Sequence, residues 1–161
     1  MIQGPFLMGP LHECYACDAF DRGRFFMFKG KLPDAVLASL LETLPLEFSV
    51  VDANDKVLAW NRHETRIFRR TDNVLGRDVR ACHPGKSLAK VEAIISEMRK
   101  GTRETAEFWI DMKLEDAPEP EKILIQYFAL RDPSGVYLGC LECSQKINRI
   151  QSLKGQQRLM D

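Results

Sequence analysis

The hexapeptide CHPGKS at residues 82–87 combines side chains that serve three kinds of chemistry. Cys82 and His83 are of the types that form a nucleophile with its base, and equally of the types that bind metals. Residues 85–87 match the end of a phosphate-binding loop, in which backbone amides wrap a phosphate. Such a loop also needs a glycine five positions earlier, where this chain has Arg80. The sequence therefore excludes a phosphate-binding loop here.

The Cys82–His83 pair lacks the other groups that a catalytic site needs. Adjacent residues seldom direct their side chains at each other, and a nucleophile also requires an oriented base and oxyanion donors. No nearby residue supplies a third member, so we expect the protein not to be an enzyme. What remains is a helix entry, in which Pro84 and Gly85 turn the chain and Ser87 caps the next helix.

Cysteines at CxxC spacing occur twice, as Cys14–Cys17 and as Cys140–Cys143, and His12 precedes the first pair. Thiolates of this number and softness suit a zinc or iron–sulfur site. The second pair lies in a predicted strand, whose alternation points Cys140 and Cys143 to opposite faces ~10 Å apart. Cys14, Cys17 and His12 are therefore the candidate metal-binding or redox residues, and packed thiols are the alternative.

The composition indicates one soluble domain without a dominant electrostatic field. The chain has 161 residues, with 23 Lys and Arg against 23 Asp and Glu. Nothing in this balance recruits nucleic acid or an acidic membrane. No apolar run approaches the ~20 residues that span a bilayer, and the start of the chain lacks a secretory signal. We therefore expect a cytoplasmic protein whose five cysteines are reduced.

Periodicity and turn residues divide the chain into an N-terminal arm, a regular domain and a C-terminal helix. The arm, residues 1–31, is punctuated by glycine and proline yet rich in phenylalanine. We expect it to pack on the domain or on a second chain. The domain, residues 32–146, contains apolar residues at helical spacing and runs of β-forming residues. From Ile147 the apolar pattern predicts a helix that covers residues 147–161.

The order of elements within the domain predicts an α+β fold, because antiparallel strands are combined with helices gathered on one side. The basic run at 66–70 falls in a predicted helix and indicates a solvated face. The predicted strands are Glu47–Asp52, Lys56–Trp60, Thr105–Met112, Glu121–Arg131 and Val136–Ser144. The predicted helices cover 33–44, 61–68 and a segment that begins at Ser87 and ends at Gly101.

Three stretches of the chain resemble the PAS domain family. FSVVDANDKVLAWN at 48–61 is similar to the opening PAS hairpin, GRDV at 76–79 to the step before the long helix, and LRDPSGVYLGCLECSQKI at 130–147 to the closing hairpin. More narrowly, LPLEFSVVDANDKV, CHPGKS, AEFW and IQYFALRD resemble the PAS module of proteins that carry a DUF438 domain. The resemblance covers about residues 32–155 and implies a PAS-like five-stranded antiparallel sheet with helices on one face.

The resemblance also implies where a ligand would bind. It places His83 beside the pocket in which PAS domains hold ligands, and haem-binding members commonly use a histidine from that side. Cys82 adjoins this histidine, and Trp109 and Tyr127 are sheet aromatics with a polar handle. These four residues are the candidate ligand-binding residues. The alternative is that His83 only shapes the helix entry.

The resemblance predicts a sensory module that binds a small molecule and forms a homodimer. Many signalling PAS domains end in an Asp-Ile-Thr-like tripeptide that couples the sheet to an output helix, whereas residues 146–148 here are Lys-Ile-Asn. We therefore expect the signal to pass through a partner chain. Two alternatives stay open. One is a metal- or redox-responsive module with zinc, an iron–sulfur cluster or haem, using Cys14 and Cys17 or His83. The other is an interaction domain without a ligand.

Overall fold

The computed structural model describes residues 30–62, 67–115 and 117–159. Its centre is a five-stranded antiparallel sheet with the spatial order β2-β1-β5-β4-β3. The strands are β1 (Glu47–Asp52), β2 (Val57–Trp60), β3 (Thr105–Met112), β4 (Glu121–Arg131) and β5 (Tyr137–Lys146). The α-helices are α1 (Asp34–Thr43), α2 (Gly85–Lys100) and α3 (Asn148–Gln151), and two 3₁₀ turns cover Asp72–Val74 and Val79–Cys82. The predicted α+β fold class is confirmed.

Aspartates hold the turns of the two hairpins whose sequences predicted them. In the β1–β2 turn, one oxygen of Asp52 accepts hydrogen bonds from the backbone N–H of Asn54 at 2.8 Å and of Lys56 at 2.9 Å. In the β4–β5 turn, Asp132 accepts from the backbone N–H and the hydroxyl of Ser134, each at 2.8 Å. These bonds hold the pKa of Asp132 below its ordinary value. Both turns therefore use an aspartate to satisfy backbone donors locally.

The N-cap of helix α2 lies three residues earlier than predicted. Pro84 takes the cap position, because its ring fixes φ, here at −60°, and it needs no N–H. Ser87 is the third helical residue, and its hydroxyl donates to the carbonyl oxygen of Pro84 at 2.9 Å. The prediction that Ser87 is the N-cap is therefore wrong. At the other end Gly101, with φ at 74°, closes the helix as predicted.

The core lies between α2 and one face of the sheet, which we call the inner face; the opposite side is the outer face. The Sγ atom of Cys140 in β5 lies 3.6 Å from the Sδ atom of Met98 in α2, and both residues are fully buried. The buried residues form two clusters. One contains Ile67, Met98, Leu114, Ile123, Ile125, Tyr127 and Cys140, and the other contains Val51, Val79, Val91 and Ile95.

Ion pairs tie the tip of the β1–β2 hairpin to α2. Asp55, whose side chain is 9% exposed, pairs with Arg99 of α2 and with Arg80 at 3.0 Å. Arg80 in turn pairs with Glu92 of α2 at 2.9 Å. The hairpin, the second 3₁₀ turn and the long helix are thus joined in one network.

The C-terminal helix is much shorter than predicted. Helix α3 has four residues, and the apolar Leu153 and Leu159 beyond it are 66% and 94% exposed. A helix of the predicted length depends on packing of its apolar face, and the side chains of Leu153 and Leu159 bury little surface. The prediction of a helix over 147–161 is therefore wrong. Residues 63–66, in the centre of the helix predicted at 61–68, lie outside the described residues.

Candidate functional site

Two rows of polar residues cross the inner face of the sheet. Ser49 of β1, Glu142 of β5 and Tyr127 of β4 are cross-strand partners in one row, and Glu47 and Ser144 are partners in the next. Glu142 and Ser144 stand an even number of residues from the buried Cys140 in β5, so they face the core as it does. Ser49, Glu47 and Tyr127 are their register partners and share that face. Polar residues on a buried face need hydrogen-bond partners. These rows of polar residues make the inner face the candidate functional site.

The carboxylate of Glu142 is the centre of this arrangement. One of its oxygens accepts a hydrogen bond from the Tyr127 hydroxyl at 3.1 Å, and the other accepts from Nη2 of Arg70 at 3.0 Å. The side chains of Arg70 and Glu142 are each only 12% exposed. We call the group of Glu47, Ser49, Arg70, Tyr127, Glu142 and Ser144 the inner polar cluster.

Arg70 comes from the segment between β2 and the first 3₁₀ turn. The start of this segment is anchored to β1, because the Glu47 carboxylate accepts hydrogen bonds from the backbone N–H of Ile67 and, at 3.3 Å, of Phe68. The neighbouring Arg69 is 81% exposed and pairs with Glu115 at the surface. The basic run at 66–70 is therefore not a uniformly solvated face, since its last residue is buried in an ion pair.

One donor of Arg70 has no partner in the part of the chain that the structure describes. Its Nε is fully buried and no hydrogen-bond acceptor there lies within reach. A narrow cleft adjoins the arginine and is lined by Glu47, Phe48, Ser49, Phe68, Arg70, Glu142 and Ser144. In this conformation the space has no room for a water-sized sphere. The cluster thus combines an unsatisfied donor with a closed cleft.

His83 lies between the second 3₁₀ turn and α2, and its side chain is half-buried. Burial lowers its pKa below the ordinary value of 6.5, while the Glu142 carboxylate raises the pKa and the Arg70 guanidinium lowers it. Two charges of the inner polar cluster therefore act on this histidine. Its neighbour Cys82 is also half-buried, and the Cys82 thiol donates to the carbonyl oxygen of Asp78 at 3.8 Å.

The two aromatic candidates lie on opposite faces of the sheet. Tyr127 is buried in the core, where its ring stacks on Phe108 at 5.9 Å between centroids. Burial and the adjacent Glu142 carboxylate raise the pKa of its hydroxyl far above the ordinary value of 10. Trp109 follows Phe108 in β3, pairs with Leu124 and is 62% exposed on the outer face. The structure thus brings Tyr127, but not Trp109, into the inner polar cluster.

The sheet cysteines are packed thiols, as strand alternation predicted. Cys140 pairs with Val51 and faces the core, whereas Cys143 pairs with Phe48 on the outer face. Burial raises the pKa of the Cys140 thiol to about 12. Within the described ranges, no group of three or more His, Cys, Asp or Glu side chains could hold a metal ion. The other metal candidates, Cys14, Cys17 and His12, lie outside those ranges.

Sequence reasoning missed Arg70 and Glu142. The signal for Glu142 was present, because it stands two residues from Cys140 in a strand, and a charged residue in phase with a core residue indicates a buried charge. Arg70 carried no comparable signal, since nothing in the sequence distinguishes it from its exposed neighbour Arg69. No helix within the described ranges is long and apolar enough to cross a membrane.

Comparisons with known proteins place this architecture in a family. A family model described as a PAS domain matches residues 37–148. The crystal structure of a C-terminal domain from Streptococcus mutans is 30% identical, with a TM-score of 0.70 over 80% of this chain and 95% of that chain. No curated protein sequence matches the chain.

More distant structures share the fold alone. The PAS domain of BvgS from Bordetella pertussis is 18% identical with a TM-score of 0.55, over 70% of this chain and 84% of that chain. A complex of Vibrio cholerae VqmA with ligand and DNA is 16% identical with a TM-score of 0.55, over 81% and 63% of the two chains. The family match covers the whole sheet, α2 and the inner polar cluster. This chain therefore belongs to the PAS domain family, whose members are sensory modules of signalling proteins.

Proposed function

We propose that this PAS domain is a sensor that binds a small molecule at the inner polar cluster, between the sheet and the segment that carries Phe68 and Arg70. The observation that carries the proposal is the buried Nε donor of Arg70, which adjoins the cleft between Glu47, Glu142 and Ser144. A ligand that supplies the missing acceptor would satisfy this donor. The proposed function is binding and not catalysis.

The energetics of the cluster support this proposal. An ion pair such as Arg70–Glu142, 12% exposed on both sides, contributes little net stability, because desolvation of both charges offsets their attraction. Well-packed apolar residues would fill the same volume at no such cost. A charged group kept in this place is therefore better explained by recognition than by folding. Among proteins of the same fold, VqmA is described in complex with a ligand.

We further propose that the domain acts as a homodimer whose contact surface includes α1. Four large apolar residues of this helix are 36–47% exposed: Val36, Leu37, Leu40 and Leu41. No residue of α1 is buried. An amphipathic helix in this state gains stability by covering its apolar stripe with a second copy of itself, which makes a two-fold contact. Ligand binding would then be read out by a partner chain.

Native mass spectrometry of the full chain, purified without denaturation, tests the proposal. We expect a mass above that of the polypeptide which disappears on unfolding, with the released small molecule identified in the supernatant. The Glu142→Gln variant should carry less of the molecule, and Glu115→Gln, which changes an exposed ion pair of the same type, should carry as much as the native sequence. Equal occupancy in all three proteins would contradict the assignment of the site.

The narrower predictions from the sequence stay predictions. They are the kinship with DUF438-containing proteins, a zinc or iron–sulfur site at Cys14, Cys17 and His12, and haem bound through His83. Metal analysis and a visible absorption spectrum of protein purified without oxygen test the last two. Stoichiometric metal that is lost with Cys14→Ser would favour the metal site, and a Soret band that is lost with His83→Ala would favour haem.

A further inference from the structure

We infer that the ligand is a small uncharged molecule that presents a hydrogen-bond acceptor to Nε of Arg70. This inference rests on the proposed function and narrows the ligand to a chemical class, which includes amides, ketones and neutral aromatic nitrogen heterocycles.

The hydrogen bonds of the inner polar cluster leave a donor and not an acceptor to be satisfied. The two oxygens of Glu142 accept from Tyr127 and Arg70, and those of Glu47 accept from the backbone N–H of Ile67 and Phe68. The Tyr127 hydroxyl donates its hydrogen bond to Glu142. The buried Nε of Arg70 is the donor that remains without an acceptor among the described residues. A molecule that enters here is recognised by its lone pair.

The charges around the cleft select against ionised ligands. Glu47 and Glu142 both line it, and among the residues that the structure describes Arg70 is the one guanidinium that does so. A carboxylate or phosphate ligand would face two carboxylates of its own sign in a poorly solvated place. A cationic ligand would face the Arg70 guanidinium, and it would compete with Tyr127 and Arg70 for the oxygens of Glu142. An uncharged acceptor avoids both conflicts.

The dimensions of the cleft favour a small molecule. The cleft has no room for a water-sized sphere, so its walls must move apart for any ligand. One wall is Phe68, whose neighbour Ile67 is anchored to the sheet through Glu47. The separation of walls held by such bonds costs more as the ligand grows, because more of the bonds must break.

Three probes of nearly equal size and different charge test this inference: benzamide, benzoate and benzamidinium. The full chain is labelled with ¹⁵N, and the side-chain Nε–Hε signal of Arg70 is assigned by triple-resonance spectra and by its loss in Arg70→Lys. The matched control is Arg77→Lys, which removes the signal of an exposed arginine. We expect benzamide to shift the Arg70 signal and to bind at least about tenfold more tightly than benzoate, because like charges disfavour the latter. Glu142→Gln should reduce that preference severalfold.

The outcomes separate this inference from the proposed function. Benzoate or benzamidinium binding at the cluster as tightly as benzamide would overturn the inference and leave a small-molecule site in place. Benzamide that shifts backbone amides of β4 and β5 but not the Arg70 Nε–Hε signal would also overturn it. If none of the three probes shifts any signal of the inner polar cluster, the proposed function fails as well.

Discussion

Glu142 is the counter-charge of Arg70 in the inner polar cluster. Its replacement in Glu142→Gln keeps the shape of the side chain but leaves the buried guanidinium of Arg70 without a counter-charge. We expect the free energy of unfolding to fall by about 2–4 kcal/mol. Urea denaturation monitored by circular dichroism measures this change.

The exposed pair Arg69–Glu115 provides the control for that prediction. Its side chains are 81% and 82% exposed, so Glu115→Gln should change the free energy of unfolding by less than about 1 kcal/mol. Equal losses in Glu142→Gln and Glu115→Gln would mean that the Arg70–Glu142 pair is solvated like a surface pair. The account of the inner polar cluster would then be wrong.

His83 makes stability depend on pH in a known direction. Its pKa in the folded protein lies below the ordinary 6.5, mainly through burial, so the unfolded chain binds more protons just below that pH. The free energy of unfolding should therefore fall as the pH drops from 6.5 toward the lower, folded pKa. Urea denaturation at about pH 7.5 and about pH 5.5 measures the change, which should be smaller in His83→Gln, because glutamine does not titrate. The same pH dependence in both proteins would show that His83 contributes nothing to it.

Of the six residues of the inner polar cluster, sequence reasoning named Tyr127, and it also named His83, on which two charges of the cluster act. His83 was selected because the resemblance to PAS domains places it beside their ligand pocket, and Tyr127 because it is a sheet aromatic with a polar handle. Trp109 was selected for the same reason but lies on the outer face, because the register between strands decides which side each residue faces and no single strand reveals it. The partner of Arg70 is Glu142, which is 72 residues away in the chain, so no local pattern predicts the burial of this arginine.

At the scale of elements, Gly139 fixes how β5 lies beside β1. Its φ is 150°, and a Cβ at this position would collide with the carbonyl oxygen of Val51 in β1. We expect Gly139→Ala to lower the free energy of unfolding by about 2–4 kcal/mol, because either the strand pairing or the backbone angle must change. Differential scanning calorimetry should show the loss as a lower melting temperature.

Gly85→Ala is the matched glycine variant. Gly85 is the first residue of α2, and a Cβ there would meet no atom within 4 Å. Alanine favours the helix by up to about 1 kcal/mol, so this variant should be as stable as the native protein or slightly more stable. A Gly139→Ala protein that unfolds at the same temperature as Gly85→Ala would contradict the close approach of β5 and β1.

Element boundaries were predictable where local signals decide them. The bounds of β3 and β4 match the predictions, because their β-forming runs end at turn residues. The C-terminal segment was not predictable in this way. Its apolar spacing is compatible with a helix, but whether a helix forms depends on a surface that covers it. The N-cap of α2 was missed by three residues, because Pro84 is at the cap and Ser87 lies inside the first turn.

At the scale of the whole molecule, the proposed homodimer predicts the effect of a charge on α1. Leu40 is 38% exposed in the apolar stripe of this helix, so Leu40→Glu would place a carboxylate in the contact without disturbing a buried residue. We expect the native chain to have twice the monomer mass by light scattering and the variant to be a monomer with the same melting cooperativity. Leu58→Glu, at a residue that is 61% exposed in β2, is the control and should stay dimeric. A monomeric native chain would contradict the dimer.

The position of a bound small molecule is the most direct test of the central claim, that the site lies at the inner polar cluster. Isotope-filtered NOE spectra of the ¹⁵N,¹³C-labelled full chain with benzamide report which protein protons lie beside the probe. If the site lies at the inner polar cluster, we expect NOEs from the benzamide ring to the rings of Phe68 and Tyr127. The competing surface is the groove along α1, which is lined by Val36, Leu40 and Leu44 among others. NOEs to the methyl groups of that groove, or no NOE at a saturating concentration of benzamide, would contradict a binding site at the inner polar cluster.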